Sequence, residues 1–302
     1  MIRWLRIYVL PGAILQSVNI AGGYGTGREL VEFFTRHGIG NGLAGMILAT
    51  SLMAAVFAVS LALAQQFAAY DYRSFFRILL GRAWFLFEML AVVLFILVLA
   101  VMGAAAGEIL SREVGLPAGL GGALLLVAVV TLNFFGREWV TRILAGWSAF
   151  LYLVFIAYFA TVVIQSGPLP AGAFDWQLEG SWVLSAFQYA LYNVAAVPVI
   201  LYAARAIETR RQALLSGLAG GVITMLPAAM FHLSFVGAWP GIVAEPLPVY
   251  AMFERLSVPL LHGLYLVVLF GTFVETGAGN IQGLIERLDG WWRERRGQEL
   301  SR

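Results

Sequence analysis

The chain has 302 residues, of which 61% are hydrophobic and 12% charged, where a soluble domain carries about 25% charged residues. Its mean hydropathy is +0.84, which marks a polytopic integral membrane protein; the net charge of +2 means little because the charges segregate by side, and the 14% aromatic content fits lipid-facing belts, not nucleic-acid stacking. It has no cysteine and no lysine, which excludes disulfides, zinc-thiolate sites, Schiff bases and Walker-type lysines.

The N-terminal stretch 1–8 is basic and aromatic. No small-residue cleavage site follows a compact apolar core, so no cleavable signal is expected. The first span, 5–36, contains the run Asn19-Ile20-Ala21-Gly22-Gly23-Tyr24-Gly25-Thr26-Gly27-Arg28-Glu29. Each glycine weakens a helix by about 1 kcal/mol relative to alanine. A packing motif would space its glycines about four apart on one face. Gly22, Gly23, Gly25 and Gly27 instead cover all faces. The expectation is an unwound segment, which survives at membrane depth only inside protein or beside a wet cavity. Arg28, Glu29 and Glu32 follow directly, and intramembrane charges default to function. Arg28 suits an anionic substrate group or a gate, and it can also pair with Glu29 or with Glu32 four residues on.

A second span covers 40–67, and 71–82 reads as a short amphipathic helix at the membrane surface. Spans at 84–110, 117–135 and 139–165 follow. A Pro/Gly loop at 167–175 leads to a sixth span at 180–206 and a seventh at 210–237. The segment 237–259 carries Pro240, Pro246, Pro248 and Pro259 and reads as a re-entrant lid. An eighth span covers 258–285. The count of about eight rests on the length that a bilayer requires. With the N-terminus in the cytoplasm, all arginines fall inside except Arg28, Arg36, Arg112 and Arg255. Every loop obeys the positive-inside rule, so both termini are expected in the cytoplasm.

The sixth span contains a second interruption. Pro198 removes a donor and opens the helix near Val194. Gln188, Tyr192 and Asn193 line that region and are candidate substrate contacts. The two interrupted spans enter from opposite sides of the membrane, which points to an inverted repeat. The halves would be 1–166 and 176–302 of a single transmembrane domain over 1–302.

The motif Gly22-Gly23-Tyr24-Gly25-Thr26-Gly27-Arg28-Glu29-Leu30, followed by Phe33-Phe34, resembles the first helix of the YkvI-like membrane proteins. That family is itself similar to the amino acid–polyamine–organocation superfamily with the LeuT-type fold. Arg28 stands where the pattern has a neutral polar residue. The resemblance implies an all-α inverted-repeat bundle with broken first and sixth helices. It also implies a substrate site over Asn19, Gly22, Gly23, Tyr24, Gly25, Thr26, Gly27, Arg28, Glu29, Gln188, Tyr192 and Asn193. Free amides of the outer half-helix would face a carboxylate. A first-helix carbonyl at Ala21 would join the hydroxyls of Thr272 and Thr276 around Na⁺. That fold has about ten core helices where this chain offers eight. The chain is then a fragment of a longer product, or its second repeat lacks two helices and a second protomer covers the exposed face as a homodimer.

Glu275, the deepest isolated acid, suits proton coupling. Threonines in membrane helices also bond their own backbone, the plainer role for Thr272 and Thr276. His37, His232 and His262 share no i, i+4 spacing for a metal. No catalytic constellation is recognisable, so an enzyme is not expected. The function expected is secondary active transport of an amino acid or related small organic ion by alternating access, coupled to Na⁺ or H⁺ and needing no other cofactor. A non-transporting sensor or scaffold on the same fold is the alternative. A bacterial-type cytoplasmic membrane is the expected location.

Overall fold

The computed structural model describes residues 3–20, 24–134, 137–165, 172, 174–175 and 180–296. All regular structure among them is helical. In chain order the helices are α1 (Leu10–Asn19), α2 (Arg28–Phe33), α3 (Ile39–Gln66), α4 (Tyr72–Leu80), α5 (Trp84–Val114) and α6 (Ala118–Phe134). They continue with α7 (Arg137–Gln165), α8 (Trp182–Val194), α9 (Val197–Ile200), α10 (Arg210–Ser234), α11 (Pro248–Leu256) and α12 (Pro259–Arg296).

Among the described residues, four helices are long and apolar enough to cross a membrane, and a bent pair, Trp182–Val194 with Val197–Ala206, makes five. Shorter apolar helices Leu5–Gln16, Ala118–Phe134 and Phe150–Gln165 stand at the expected first, fourth and fifth spans. The α6 helix, at 17 residues, falls below the roughly 20 that a straight span needs.

Compact packing divides the chain into two interleaved units: Met1–Phe87 with Phe155–His262, and Glu88–Val154 with Gly263–Arg302.

In the first unit α10 packs against α3 and α1. The α3–α10 crossing has no room for side chains. A Cβ on Gly217 would lie 2.2 Å from the Ala58 backbone, and one on Gly221 would lie 2.6 Å from the Ala54 Cβ. Small residues four apart on each helix let the backbones touch, the packing that works where lipid offers no hydrophobic drive. A Cβ on Gly12 of α1 would meet the Gly220 Cα at 3.0 Å.

Before α1, Leu5–Val9 forms a π-helical turn. Pro11 has no N–H to offer the Ile7 carbonyl four residues back, and the Ser216 hydroxyl donates to that carbonyl at 2.6 Å. An aromatic cluster fills the unit elsewhere. Phe231 of α10 meets Phe155 at 4.8 Å and Tyr24 edge-on at 6.2 Å, and Tyr158 meets Phe253 at 4.7 Å.

The amphipathic helix expected at 71–82 is α4. The Asp71 side chain caps it by accepting the Ser74 N–H at 2.9 Å. Phe75 and Phe76 turn inward, while Ile78, Leu79 and Leu80 are exposed.

The second unit is built on the α5–α6 hairpin. Gly107, Gly121 and Gly122 bring its two backbones together; a Cβ on Gly107 would lie 2.3 Å from the Ala118 carbonyl oxygen. On α12, Gly277 receives Val129 of α6.

Candidate functional site

Each of the two spans carries a turn, at Thr26–Gly27 and at Ala195–Ala196, and both turns belong to the first unit. The α1 helix ends at Asn19, Ile20 and Tyr24 are π-helical and Gly25 is helical, and a turn over Thr26 and Gly27 separates them from α2, which begins at Arg28. Ala21, Gly22 and Gly23 lie outside the described residues. Gly27 has φ +80, a left-handed conformation that glycine adopts without a Cβ penalty. The α8 helix stops at Val194, Ala195 and Ala196 form a turn, and Pro198 occupies the first turn of α9. The break bends the span by 50°.

A carbonyl released by the first break finds a partner in the 237–259 segment. The amide of Val249, in the first turn of α11, donates to the Thr26 carbonyl at 3.0 Å. Helix first-turn amides lack intrahelical partners, and unwound carbonyls lack donors, so the two satisfy each other. A Cβ on Gly27 would come within 2.7 Å of the Val249 Cγ2. The nine-residue α11 is about 14 Å long at 1.5 Å per residue, too short to span, in keeping with a re-entrant segment.

The side chain of Arg28 reaches the same segment. It donates to the carbonyls of Val243 at 3.0 Å and Glu245 at 3.2 Å. Its second nitrogen meets Glu32 at 3.0 Å, and Glu32 also pairs with Arg36. Of the roles open to Arg28, the geometry shows the clasp on the 237–259 segment and the pairing with Glu32.

The other side of α2 packs against α8. On α8 the residues Ser185, Tyr189 and Asn193 form one stripe at a spacing of four. They face, in reverse order, His37, the Phe33–Phe34 pair and Glu29. His37 Nε2 lies 2.9 Å from Ser185 Oγ. The Tyr189 ring meets Phe34 at 4.8 Å and Phe33 at 5.5 Å. The Asn193 side chain donates to the Tyr189 carbonyl at 2.9 Å, and Glu29 is among its polar neighbours. Glu29 and Asn193, nominated separately from the two breaks, are therefore neighbours.

Two buried polar atoms near the turns lack partners among the described residues. Tyr189 is fully buried, and its hydroxyl has no hydrogen-bond partner among the described residues, although Glu29 and Asn193 are its polar neighbours. The Asn19 Nδ2, at the end of α1, is likewise buried without a partner among them. An unmade hydrogen bond of this kind costs about 1–3 kcal/mol.

The remaining candidates are placed as follows. Tyr24 and Thr26 are buried beside the break, and Gly25 is buried with them. Gln188 sits on the exposed side of α8, and Tyr192 is 43% exposed. Thr272, Glu275 and Thr276 lie on α12 in the second unit. The Thr272 hydroxyl donates to its own backbone at Val268 at 2.8 Å. Glu275 is half-buried. No group of three His, Asp or Glu residues among the described residues can hold a metal.

Tyr189 and Ser185 were not nominated as site residues. Their signal in the sequence is the 185/189/193 spacing, which marks one helix face without saying what it meets. His232, buried in α10, is held at both ring nitrogens. Nδ1 lies 2.8 Å from the Thr35 hydroxyl, and Nε2 lies 2.9 Å from the Ile39 carbonyl. A carbonyl only accepts, so Nε2 carries a proton.

No protein-family model matches the chain. Among curated proteins it is similar to the protein named "Uncharacterized membrane protein YkvI" of Bacillus subtilis (strain 168). The identity is 24% over 277 residues, covering 88% of this chain and 76% of that protein.

Proposed function

We propose that this membrane protein is a secondary active transporter, not an enzyme, of an amino acid or related small organic ion. It works by alternating access and draws on a Na⁺ or H⁺ gradient. The observation that carries the reading is the α2–α8 seam: two interrupted spans lie side by side, and Glu29 of one neighbours Asn193 of the other. Broken helices brought together at polar residues are how transporters expose backbone and charge to a solute without exposing them to lipid. The unpartnered Tyr189 hydroxyl and Asn19 amide supply bonding capacity for a ligand.

In this reading the chain is a LeuT-like inverted repeat with halves 1–166 and 176–302, both termini in the cytoplasm, in a bacterial-type cytoplasmic membrane. On α12, Glu275 is the proton candidate, and Thr272 with Thr276 the sodium candidates.

The test is uptake by purified protein in liposomes. A mixed pool of amino acids and small carboxylates is offered under an inward Na⁺ gradient and, separately, an inward H⁺ gradient, with mass spectrometric readout. Accumulation that needs one gradient and vanishes in folded Gly25→Leu is the expected result. No accumulation under either gradient by folded protein would favour a sensor or scaffold instead.

A further inference from the structure

Where α3 ends and α4 begins, the first unit gathers arginines, aromatic rings and an apolar groove. Over 71–84 the sequence sets Arg73, Arg77 and Arg82 against one acid, Asp71, whose carboxylate caps α4 by accepting the Ser74 N–H. Arg205, from the segment after α9, adds its guanidinium 5.8 Å from the Tyr70 ring. The Arg77 guanidinium lies 4.7 Å from the Trp84 ring centroid, and that of Arg73 lies 6.0 Å from the same ring, both within cation–π range. Arg73 Nε also donates to the Tyr72 hydroxyl at 2.9 Å. Two cations one helical turn apart are thus seated on one indole at the start of α5. Tryptophan and tyrosine sit at the headgroup level of a membrane, so this positive charge is concentrated there. Beside it is a groove of about 240 Å³, lined by Leu63, Phe67, Ala69, Phe75, Ile78 and Leu79. Ala69 and Phe75 are buried, whereas Phe67, Ile78 and Leu79 are exposed. Phe76 stacks on Phe87 at 3.6 Å and so holds α4 against the start of α5.

At 3.6 residues per turn, Phe75, Ile78 and Leu79 share one face of α4, and Arg73 with Arg77 share the opposite one. A helix lying in the interface keeps such a basic face among the headgroups and sinks its apolar face about 5–10 Å toward the acyl chains. One phospholipid standing beside the helix spans both levels. We propose that an anionic phospholipid of the bilayer binds alongside α4, with an acyl chain in the α3–α4 groove and its phosphate on the guanidiniums of Arg73 and Arg77. The guanidinium fork matches two phosphate oxygens at once. A zwitterionic lipid brings the same phosphate with an ammonium group that the arginines repel, so the site selects for net negative charge. Binding of this lipid does not depend on the transport reading.

The test is native mass spectrometry of the whole protein released from detergent micelles that carry equal amounts of phosphatidylglycerol and phosphatidylcholine with the same acyl chains. The expected result is one retained phosphatidylglycerol per chain, in about tenfold or greater preference over phosphatidylcholine. Arg77→Gln, at an exposed position, should cut that preference about fivefold, and Arg73→Gln with Arg77→Gln should abolish it. Leu79→Ser, also at an exposed position, should weaken retention of phosphatidylglycerol. Equal retention of the two lipids by folded wild type overturns the proposal, as does an undiminished preference in folded Arg77→Gln. Retention unchanged in Leu79→Ser overturns the placement of the chain in the groove. Displacement of the lipid by millimolar glycerol 3-phosphate would make this a site for a soluble phosphate and overturn it too. So would a lipid-free dimer that Leu79→Ser dissociates, which would assign the groove to a second copy of the chain. If the double variant does not fold, Arg77→Gln alone decides the question.

Discussion

Two helix contacts within the first unit follow opposite designs. At the α3–α10 crossing, glycine and alanine bring the backbones into contact, with 2.2 Å between an added Gly217 Cβ and the Ala58 backbone. Such a contact is apolar, full and intolerant of change. At the α2–α8 seam, aromatic and polar side chains make the contact, and the buried Tyr189 hydroxyl lacks a partner among the described residues. The first contact has nothing left to gain from a ligand. The second holds unmet hydrogen-bonding capacity, so a ligand can change its energy. In the proposed reading, stability and function are thus divided between two crossings of one helical unit.

The largest effect should come from filling the tight crossing. Gly217→Val forces a side chain into the Ala58 backbone, and overpacking of this kind costs about 3 kcal/mol or more where backbone must move. Monodisperse yield and the unfolding midpoint should both collapse. A wild-type midpoint would show that α3 and α10 do not meet as described. The contrasting change is Tyr189→Phe, which removes only the unpartnered hydroxyl. Stability should be unchanged or higher by up to about 1 kcal/mol, since no bond is lost, while solute uptake falls about tenfold. If Tyr189→Phe instead destabilises, the hydroxyl is bonded in the resting protein and the two contacts are more alike than argued.

A smaller effect is expected at the other side of α2. Arg28→Gln loses the bonds to Val243 and Glu245. Because Arg28 is 42% exposed, solvent screening reduces their worth to about 1 kcal/mol, or fivefold in opening. Ile242 is fully buried in a chain that has no native cysteine. An Ile242→Cys reporter should therefore label about fivefold faster with a maleimide when Arg28 is Gln. Equal rates would remove Arg28 as the clasp.

The smallest effect concerns His37, at the end of the seam. Burial, with the nearby Arg36 charge, lowers its pKa below the ordinary histidine value, and Glu32 partly opposes this. The folded state therefore binds a proton less readily than the unfolded state. Stability from this group is full above the unfolded value of about 6.5 and declines as pH falls through it. In His37→Gln, the loss of unfolding midpoint between neutral pH and about pH 5 should be smaller than in wild type. Identical pH profiles would show that His37 is not held neutral by its surroundings.

Much of the framework is legible without coordinates. Gly27 and Pro198 mark the described turns, because backbone conformation at glycine and proline is a local property. The cap of α4 at Asp71 and the short proline-bounded α11 are local in the same sense. Leu79 and Leu80 show the limit: periodicity groups them with Phe75 and Phe76, yet they are exposed while the phenylalanines are buried. Tertiary structure alone decided that Ser185, Tyr189 and Asn193 meet His37, the Phe33–Phe34 pair and Glu29 in antiparallel register. It also decided that Ser216 replaces the donor missing at Pro11, that Arg28 turns to the 237–259 segment, and that compact units interleave along the chain. The physical reason is that lipid is as apolar as a neighbouring helix. Hydropathy therefore records which residues leave water, whereas the partner of each helix face is chosen by shape, by close backbone approach and by hydrogen bonds between residues far apart in sequence.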